Sequence, residues 1–131
     1  MTGNNYPLLY TSIIIELFSG NKTVADRINK LNSFYLPAVV VGELYTGVFS
    51  SSHESKHLKK LRDFLSLATI IEINDETAEH YGKIASDLRK KGRPIPTNDI
   101  WIAAIAKQYE LPLITKDKHF KEIKSIQTRE W

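Results

Sequence analysis

The chain contains no cysteine, so a disulfide framework and a thiolate metal site are both excluded, and the absence fits a reducing compartment. No apolar run comes near the ~20 residues needed to cross a bilayer. The opening segment Met1–Tyr6 is polar and lacks the cationic-then-apolar order of a secretory leader. The expectation is a cytoplasmic protein with no membrane partner. No glycine-rich phosphate loop follows the first apolar segment, which argues against a nucleotide-binding switch. Internal repeats, low-complexity tracts and linkers are also missing, so the 131 residues are expected to form one domain, 1–131.

What is present is enough to build a core. Hydrophobic residues make up 42% of the chain and charged residues 25%, the usual balance of a globular protein. The formal net charge is a mild +3, but the basic residues are grouped. Lys59, Lys60 and Arg62 form one cluster, Arg89, Lys90, Lys91 and Arg93 a second, and Lys116, Lys118, Lys121 and Lys124 a third. Such clusters can follow a phosphate backbone; taken alone, solvated helix faces account for them as simply.

Hydrophobic periodicity divides the chain into alternating strands and helices. Tyr6–Tyr10 reads as a short buried strand, followed by Thr11 and Ser12 as helix-capping residue types and a helix through Phe18, stopped at Ser19-Gly20. Val24, Ile28 and Leu31 mark a second helix. Phe34–Leu36 reads as a strand closed by Pro37, and Val40, Leu44 and Val48 form the stripe of a helix reaching about Ser50. His53–Leu67 is amphipathic, with Leu58, Leu61 and Leu65 inward. Thr69–Ile73 is β-branched and strand-like. Asp75 is placed to cap a helix that buries Ala78, Tyr81, Ile84, Ala85 and Leu88 and ends at Gly92. Thr97–Tyr109 is apolar nearly all round and so predicted to be deeply buried; Leu113–Thr115 follows as a strand, with Ile123–Gln127 the candidate for one more. This alternation predicts βαβ units in a three-layer α/β/α domain with a mainly parallel central sheet.

In an open parallel sheet, ligands bind beyond the carboxyl ends of the strands. Three acids are placed to reach that edge: Glu43 in the helix after the Phe34–Leu36 strand, Asp99 in the first turn of the apolar helix, and Asp117 two residues after the Leu113–Thr115 strand. Singly, each has a plain structural reading, Asp99 as a helix-dipole partner, Glu43 as an exposed helix position and Asp117 as a turn residue.

Their surroundings add more. The segments Leu8-Leu9-Tyr10-Thr11-Ser12-Ile13-Ile14-Ile15-Glu16, Val40-Val41-Gly42-Glu43-Leu44, Pro96-Thr97-Asn98-Asp99 and Ile114-Thr115-Lys116-Asp117-Lys118-His119-Phe120 occur in this order. The series resembles the PIN domain, most closely the VapC-type toxins of bacterial toxin–antitoxin pairs, over nearly the whole chain. The resemblance implies an endoribonuclease toxin that cuts structured RNA, is restrained by a small antitoxin covering the acidic site, and pairs as a homodimer. It implies that Glu43, Asp99 and Asp117 hold Mg²⁺ or Mn²⁺, supported by Thr11 or Ser12, Asn98 and Thr115. Hard divalent cations take oxygen ligands, and a held cation activates water and neutralises charge on a phosphate. Lys116 and Lys118, flanking Asp117, are the candidates for guiding RNA.

The family pattern opens with an Asp where this chain has Tyr10. A phenol is a poor Mg²⁺ ligand near neutral pH, and its ring can fill the metal position, so catalysis is expected to be impaired. Tyr and Asp codons differ by one base; an acquired change and a naturally inactive member both remain open. The alternative function is accordingly a catalytically inactive PIN fold that binds antitoxin or RNA. A DNA- or flap-directed nuclease is a further rival, disfavoured by the lack of a large insert. Glu16 is either a supporting group or a solvated position. His119 is read as a surface histidine on a short turn, Trp101 and Phe49 as core, and His53, His57 and His80 as lacking ligand spacing with an acid.

Overall fold

The computed structural model describes residues 6–131; Met1–Asn5, which carry most of the reading of a leaderless start, lie outside them. Among the described residues, five strands, β1 (Leu8–Leu9), β2 (Tyr35–Pro37), β3 (Thr69–Ile71), β4 (Leu113–Ile114) and β5 (Thr128–Arg129), form one sheet in the order β3-β2-β1-β4-β5. All four pairings are parallel. Six helices flank it in a three-layer α/β/α arrangement: α1 (Thr11–Phe18), α2 (Lys22–Asn29), α3 (Ala38–Phe49), α4 (Glu54–Leu65), α5 (Asp75–Lys91) and α6 (Thr97–Tyr109).

A sheet covered on both faces needs apolar side chains at successive positions, because both directions of the pleat point into protein. The central strands obey this: Leu8, Leu9, Leu113 and Ile114 are all buried. The edge strands do not, since Thr69 and Ile70 of β3 and Arg129 of β5 are exposed. Helix α6 buries Ile100 and the run from Ile102 to Ala106, as its composition predicts. Its remaining face meets α5, where the rings of Tyr81 and Trp101 stack with centroids 4.1 Å apart.

Several local expectations are corrected. Thr11 and Ser12 lie inside the first turn of α1; the capping position is Tyr10, which makes no side-chain cap. The cap of α5 is Asn74 rather than Asp75. Its side chain accepts the Thr77 N–H while Thr77 Oγ1 accepts the Asn74 N–H, each at 3.1 Å. This reciprocal box leaves Asp75 free to face the helix dipole. Thr77 is buried and Ala78 exposed, reversing the expected order at that turn. Strand β2 starts one residue late and takes in Pro37, which sits opposite Ile71. The last strand is Thr128–Arg129, not Ile123–Gln127. Ile123 is buried in the core below a 3₁₀ turn at Lys118–Glu122, and ladder bonds to β4 begin only where Leu113 N–H meets the Gln127 carbonyl. Phe49, read as core, is 55% exposed and stacks on Tyr45. Gly92 ends α5 in the left-handed conformation, φ 65°, which a residue without Cβ adopts freely.

Candidate functional site

The chain runs from β1 outward to β2 and β3, then returns to the other side of β1 for β4 and β5, so the order reverses between β1 and β4. The register sets Leu9 beside Ile114, and the Tyr10 N–H donates to the Ile114 carbonyl at 3.2 Å. Tyr10 and Thr115 therefore leave the sheet side by side at the switch point, where a crevice opens in folds of this kind. Helix α6 brings the buried Asp99 to the same place.

The Tyr10 hydroxyl donates to Asp99 Oδ1 at 2.9 Å. Asp99 Oδ2 lies 2.7 Å from His119 Nε2, and His119 Nδ1 lies 2.9 Å from Asp117 Oδ1. The imidazole thus stands between the two carboxylates. Its Nε2 is buried and, despite its closeness to Asp99, has no hydrogen bond: the approach lacks the alignment a hydrogen bond requires. Thr115 Oγ1 accepts the Asp117 N–H at 3.0 Å, which fixes the turn carrying that acid. On the other side of Tyr10, Thr11 Oγ1 donates to Glu43 Oε1 at 2.7 Å. Phe120 is fully buried, meets the Tyr10 ring edge-on at 5.2 Å and anchors the 3₁₀ turn that presents His119.

These surroundings act on the phenol. Burial first, then the hydrogen bond to Asp99, then the negative charges of Asp99, Asp117 and Glu43 push the Tyr10 pKa well above its ordinary 10.0. A proton-bearing phenol is a donor, not an anionic ligand.

Asp99, Asp117 and His119 each offer a ligand atom, all within 4.8 Å of one another. The orphaned His119 nitrogen and the two convergent carboxylates suit a divalent cation. Glu43 does not join this group of three. It is joined to the site through its neighbour Thr11 and through its charge on Tyr10.

The remaining sequence candidates divide. Thr11 and Thr115 touch the acidic machinery directly. Ser12 is half-buried and Asn98 exposed, and among the described residues neither hydrogen-bonds to Glu43, Asp99 or Asp117. Lys118 is exposed. Lys116 is tied down: its Nζ lies 2.9 Å from Glu16 Oε1, which also accepts from Asn21 Nδ2 at 3.4 Å. Glu16 is therefore a supporting group of the β4 end rather than a solvated position, and its Oε2 is buried without a hydrogen bond. His119 corrects the reading most: it is a wedge between two acids, not a surface histidine. The available signal was the spacing Asp117-x-His119 directly after a strand, which a tight turn folds back on itself.

The comparisons agree with this fold. The family model for the PIN domain matches residues 8–126. The chain is 32% identical over 129 residues to ribonuclease VapC1 of Haemophilus influenzae strain R2866, an alignment covering 95% of this chain and 96% of the relative. Among solved structures, VapBC-1 from nontypeable Haemophilus influenzae is similar with a TM-score of 0.88 and 31% identity, covering 96% of this chain and 98% of that one. VapBC2 from Rickettsia felis, solved bound to a DNA fragment from its promoter, gives 0.89 and 27% over the same shares. The chain is a member of the PIN-domain family, and its near relatives there are VapC ribonucleases.

Proposed function

We propose that this chain is a VapC-type endoribonuclease toxin of a toxin–antitoxin pair, working in the cytoplasm on structured RNA, and that Tyr10 impairs its hydrolytic site. The observation that carries the reading is the convergence of the buried Asp99 with Asp117 and His119 at the switch point of the sheet. Asp99 and Asp117 would hold Mg²⁺ or Mn²⁺, with Glu43 completing the acidic edge. When bound, the cation supplies an activated water and neutralises charge on the scissile phosphate. The chain's own residues do the positioning. Thr11 holds the Glu43 carboxylate, Thr115 fixes the backbone at Asp117, and the burial of Asp99 limits the water around it. Lys118 is available to meet an RNA phosphate, whereas Lys116 must first leave Glu16.

An antitoxin is the expected partner. A groove of about 240 Å³ between α1, α3 and α4 is lined by Ile15, Phe18, Leu44 and Val48, and Glu43 lines it too. Glu43 lines the groove and accepts from Thr11, the neighbour of Tyr10, so it links the groove to the edge of the acidic site. An apolar antitoxin segment carrying a cation towards Glu43 would cover both at once.

A second reading has its own observation. The Tyr10 hydroxyl occupies Asp99 Oδ1, which favours an inactive PIN fold kept for binding antitoxin or RNA. Cleavage of structured RNA and of DNA by the parent and by Tyr10→Asp, with and without Mn²⁺, separates the readings. The toxin reading expects metal-dependent RNA cleavage, weak in the parent and strong in the variant. No RNA cleavage by Tyr10→Asp, with antitoxin binding retained, would leave the binding module.

A further inference from the structure

We propose that His119 is itself a ligand of the site's cation and that its imidazole turns the preference of this site from Mg²⁺ towards Mn²⁺. The inference rests on the reading of the acidic cluster as a divalent-cation site, and adds to it which ion the site selects and which residue selects it.

Donor identity comes before donor number. Mg²⁺ is held by as few as one or two carboxylates with waters completing its shell, so a further side-chain ligand tunes which ion the site prefers. Here the Tyr10 hydroxyl donates to Asp99 Oδ1 at 2.9 Å, so position 10 offers a hydrogen-bond donor where a carboxylate would offer a ligand. Glu43 is held by Thr11 and lies outside the convergent group. Two carboxylates remain, and the third convergent atom belongs to His119. Its Nε2 is buried and lies 2.7 Å from Asp99 Oδ2, yet makes no hydrogen bond. A nitrogen packed against a carboxylate without a hydrogen bond to it leaves both atoms available to a shared cation.

The position of the imidazole is also fixed by the fold. Phe120 is fully buried and packs against the Tyr10 ring, with the His119 ring tilted over it at 4.8 Å. The 3₁₀ turn cannot swing out without pulling Phe120 from the core. His119 is therefore held in place before a cation arrives, as a ligand needs to be.

The chemistry then separates the two ions. Mg²⁺ is hard and takes oxygen, while Mn²⁺, a first-row transition metal, also binds mixed nitrogen and oxygen sites. A site of two carboxylates and one imidazole discriminates between them in a way that a set of carboxylates alone does not.

The opposing idea is that His119 is a resident counter-charge, bridging Asp99 and Asp117 until a cation displaces it. The two ideas predict opposite signs. Mn²⁺ binding to the full chain is followed by loss of the free-ion signal in electron paramagnetic resonance, and Mg²⁺ is measured by competition. His119→Ala is expected to weaken Mn²⁺ binding by about tenfold or more, since removal even of groups that only orient ligands costs about 10–100-fold, while Mg²⁺ affinity holds. His119→Gln keeps the size and offers an amide oxygen; it is expected to lose the Mn²⁺ preference as well, and it carries the comparison should the alanine variant unfold. Stronger or unchanged Mn²⁺ binding in the variants, or equal loss of both ions, overturns the proposal. So does a parent chain that binds no Mn²⁺. RNA cleavage plays no part in this readout, so failure of the ribonuclease reading and failure of the ligand assignment are seen separately.

Discussion

Placing a carboxylate at position 10 exchanges a neutral ring for a charge, and the structure says how the fold should respond. The Tyr10 hydroxyl now lies 2.9 Å from Asp99 Oδ1. An aspartate reaches less far from the backbone, so its carboxylate would sit roughly 6 Å from that of Asp99, where two unit charges repel by about 3 kcal/mol at an effective dielectric near 20. The edge contact with Phe120 at 5.2 Å is lost too, worth about 0.5–1.5 kcal/mol. Water reaching the half-buried position 10 reduces the repulsion, leaving a net destabilisation on the order of 2–4 kcal/mol without metal. For a domain of this size that lowers Tm by roughly 10 °C. A divalent cation at about a hundred times its Kd returns about 2.7 kcal/mol. Thermal unfolding of the parent and of Tyr10→Asp, each in chelator and in Mn²⁺, tests this. The variant should melt well below the parent in chelator and recover most of the gap in Mn²⁺, while the parent gains less. A variant as stable as the parent in chelator would refute the charge argument. Equal Mn²⁺ gains in both proteins would refute the assignment of position 10 to the cation site.

Tyr10→Phe tests the phenol itself. Because the native pKa lies above the unfolded one, the unfolded chain ionises first, and the parent loses stability as pH rises past about 10. Tyr10→Phe lacks that loss, so the stability advantage of the parent should shrink above that pH in denaturant titrations; a constant difference would contradict it. Thr11→Val removes the 2.7 Å bond to Glu43 and should cost about 1–3 kcal/mol in chemical unfolding, because a charged acceptor loses its donor; a change near zero would show that water replaces the hydroxyl. For RNA, Lys118→Ala should reduce the salt slope of binding by about 0.7, the value of one single-strand phosphate contact. Lys116→Ala should reduce it less, since Lys116 is paired with Glu16, and equal effects would mean that the pair opens on RNA.

The sheet was legible because its central strands are uniformly apolar and its helices amphipathic; α6 stood out because its burial leaves no polar face. Edges and caps were less so. The last strand was misplaced since Ile123 and Ile126 carry the apolar signal, whereas the ladder with β4 runs through Gln127, Thr128 and Arg129, whose side chains look like loop. Asn74 rather than Asp75 became the cap because Thr77, three residues on, can return the bond, a reciprocity single-residue preferences do not weigh. In the site, Asp99 and Asp117 could be placed from strand ends and helix starts. His119 could not, since its role depends on a 3₁₀ turn that folds it back between two acids, and Lys116 could not, since its partner Glu16 is a hundred residues away.

The same geometry explains how Tyr10 can be accommodated by a fold whose family pattern has an acid there. Its backbone is extended and caps α1 without needing a side-chain acceptor. Its ring finds Phe120, and its hydroxyl supplies a donor to Asp99, a buried carboxylate otherwise crowded by other acids. Each of these stabilises the folded chain, while the change removes a charge a cation would use. Under the proposed cation role, stability and metal binding would pull in opposite directions at this position, as at many sites built from repelling groups. The groove lined by Ile15, Phe18, Leu44 and Val48 does not include Tyr10. An antitoxin segment seated there, as proposed, would contact the same apolar surface whether position 10 is Tyr or Asp, and would sense the substitution only through Glu43. Under the proposed function, weakened catalysis with partner binding retained is the expected outcome for the parent chain.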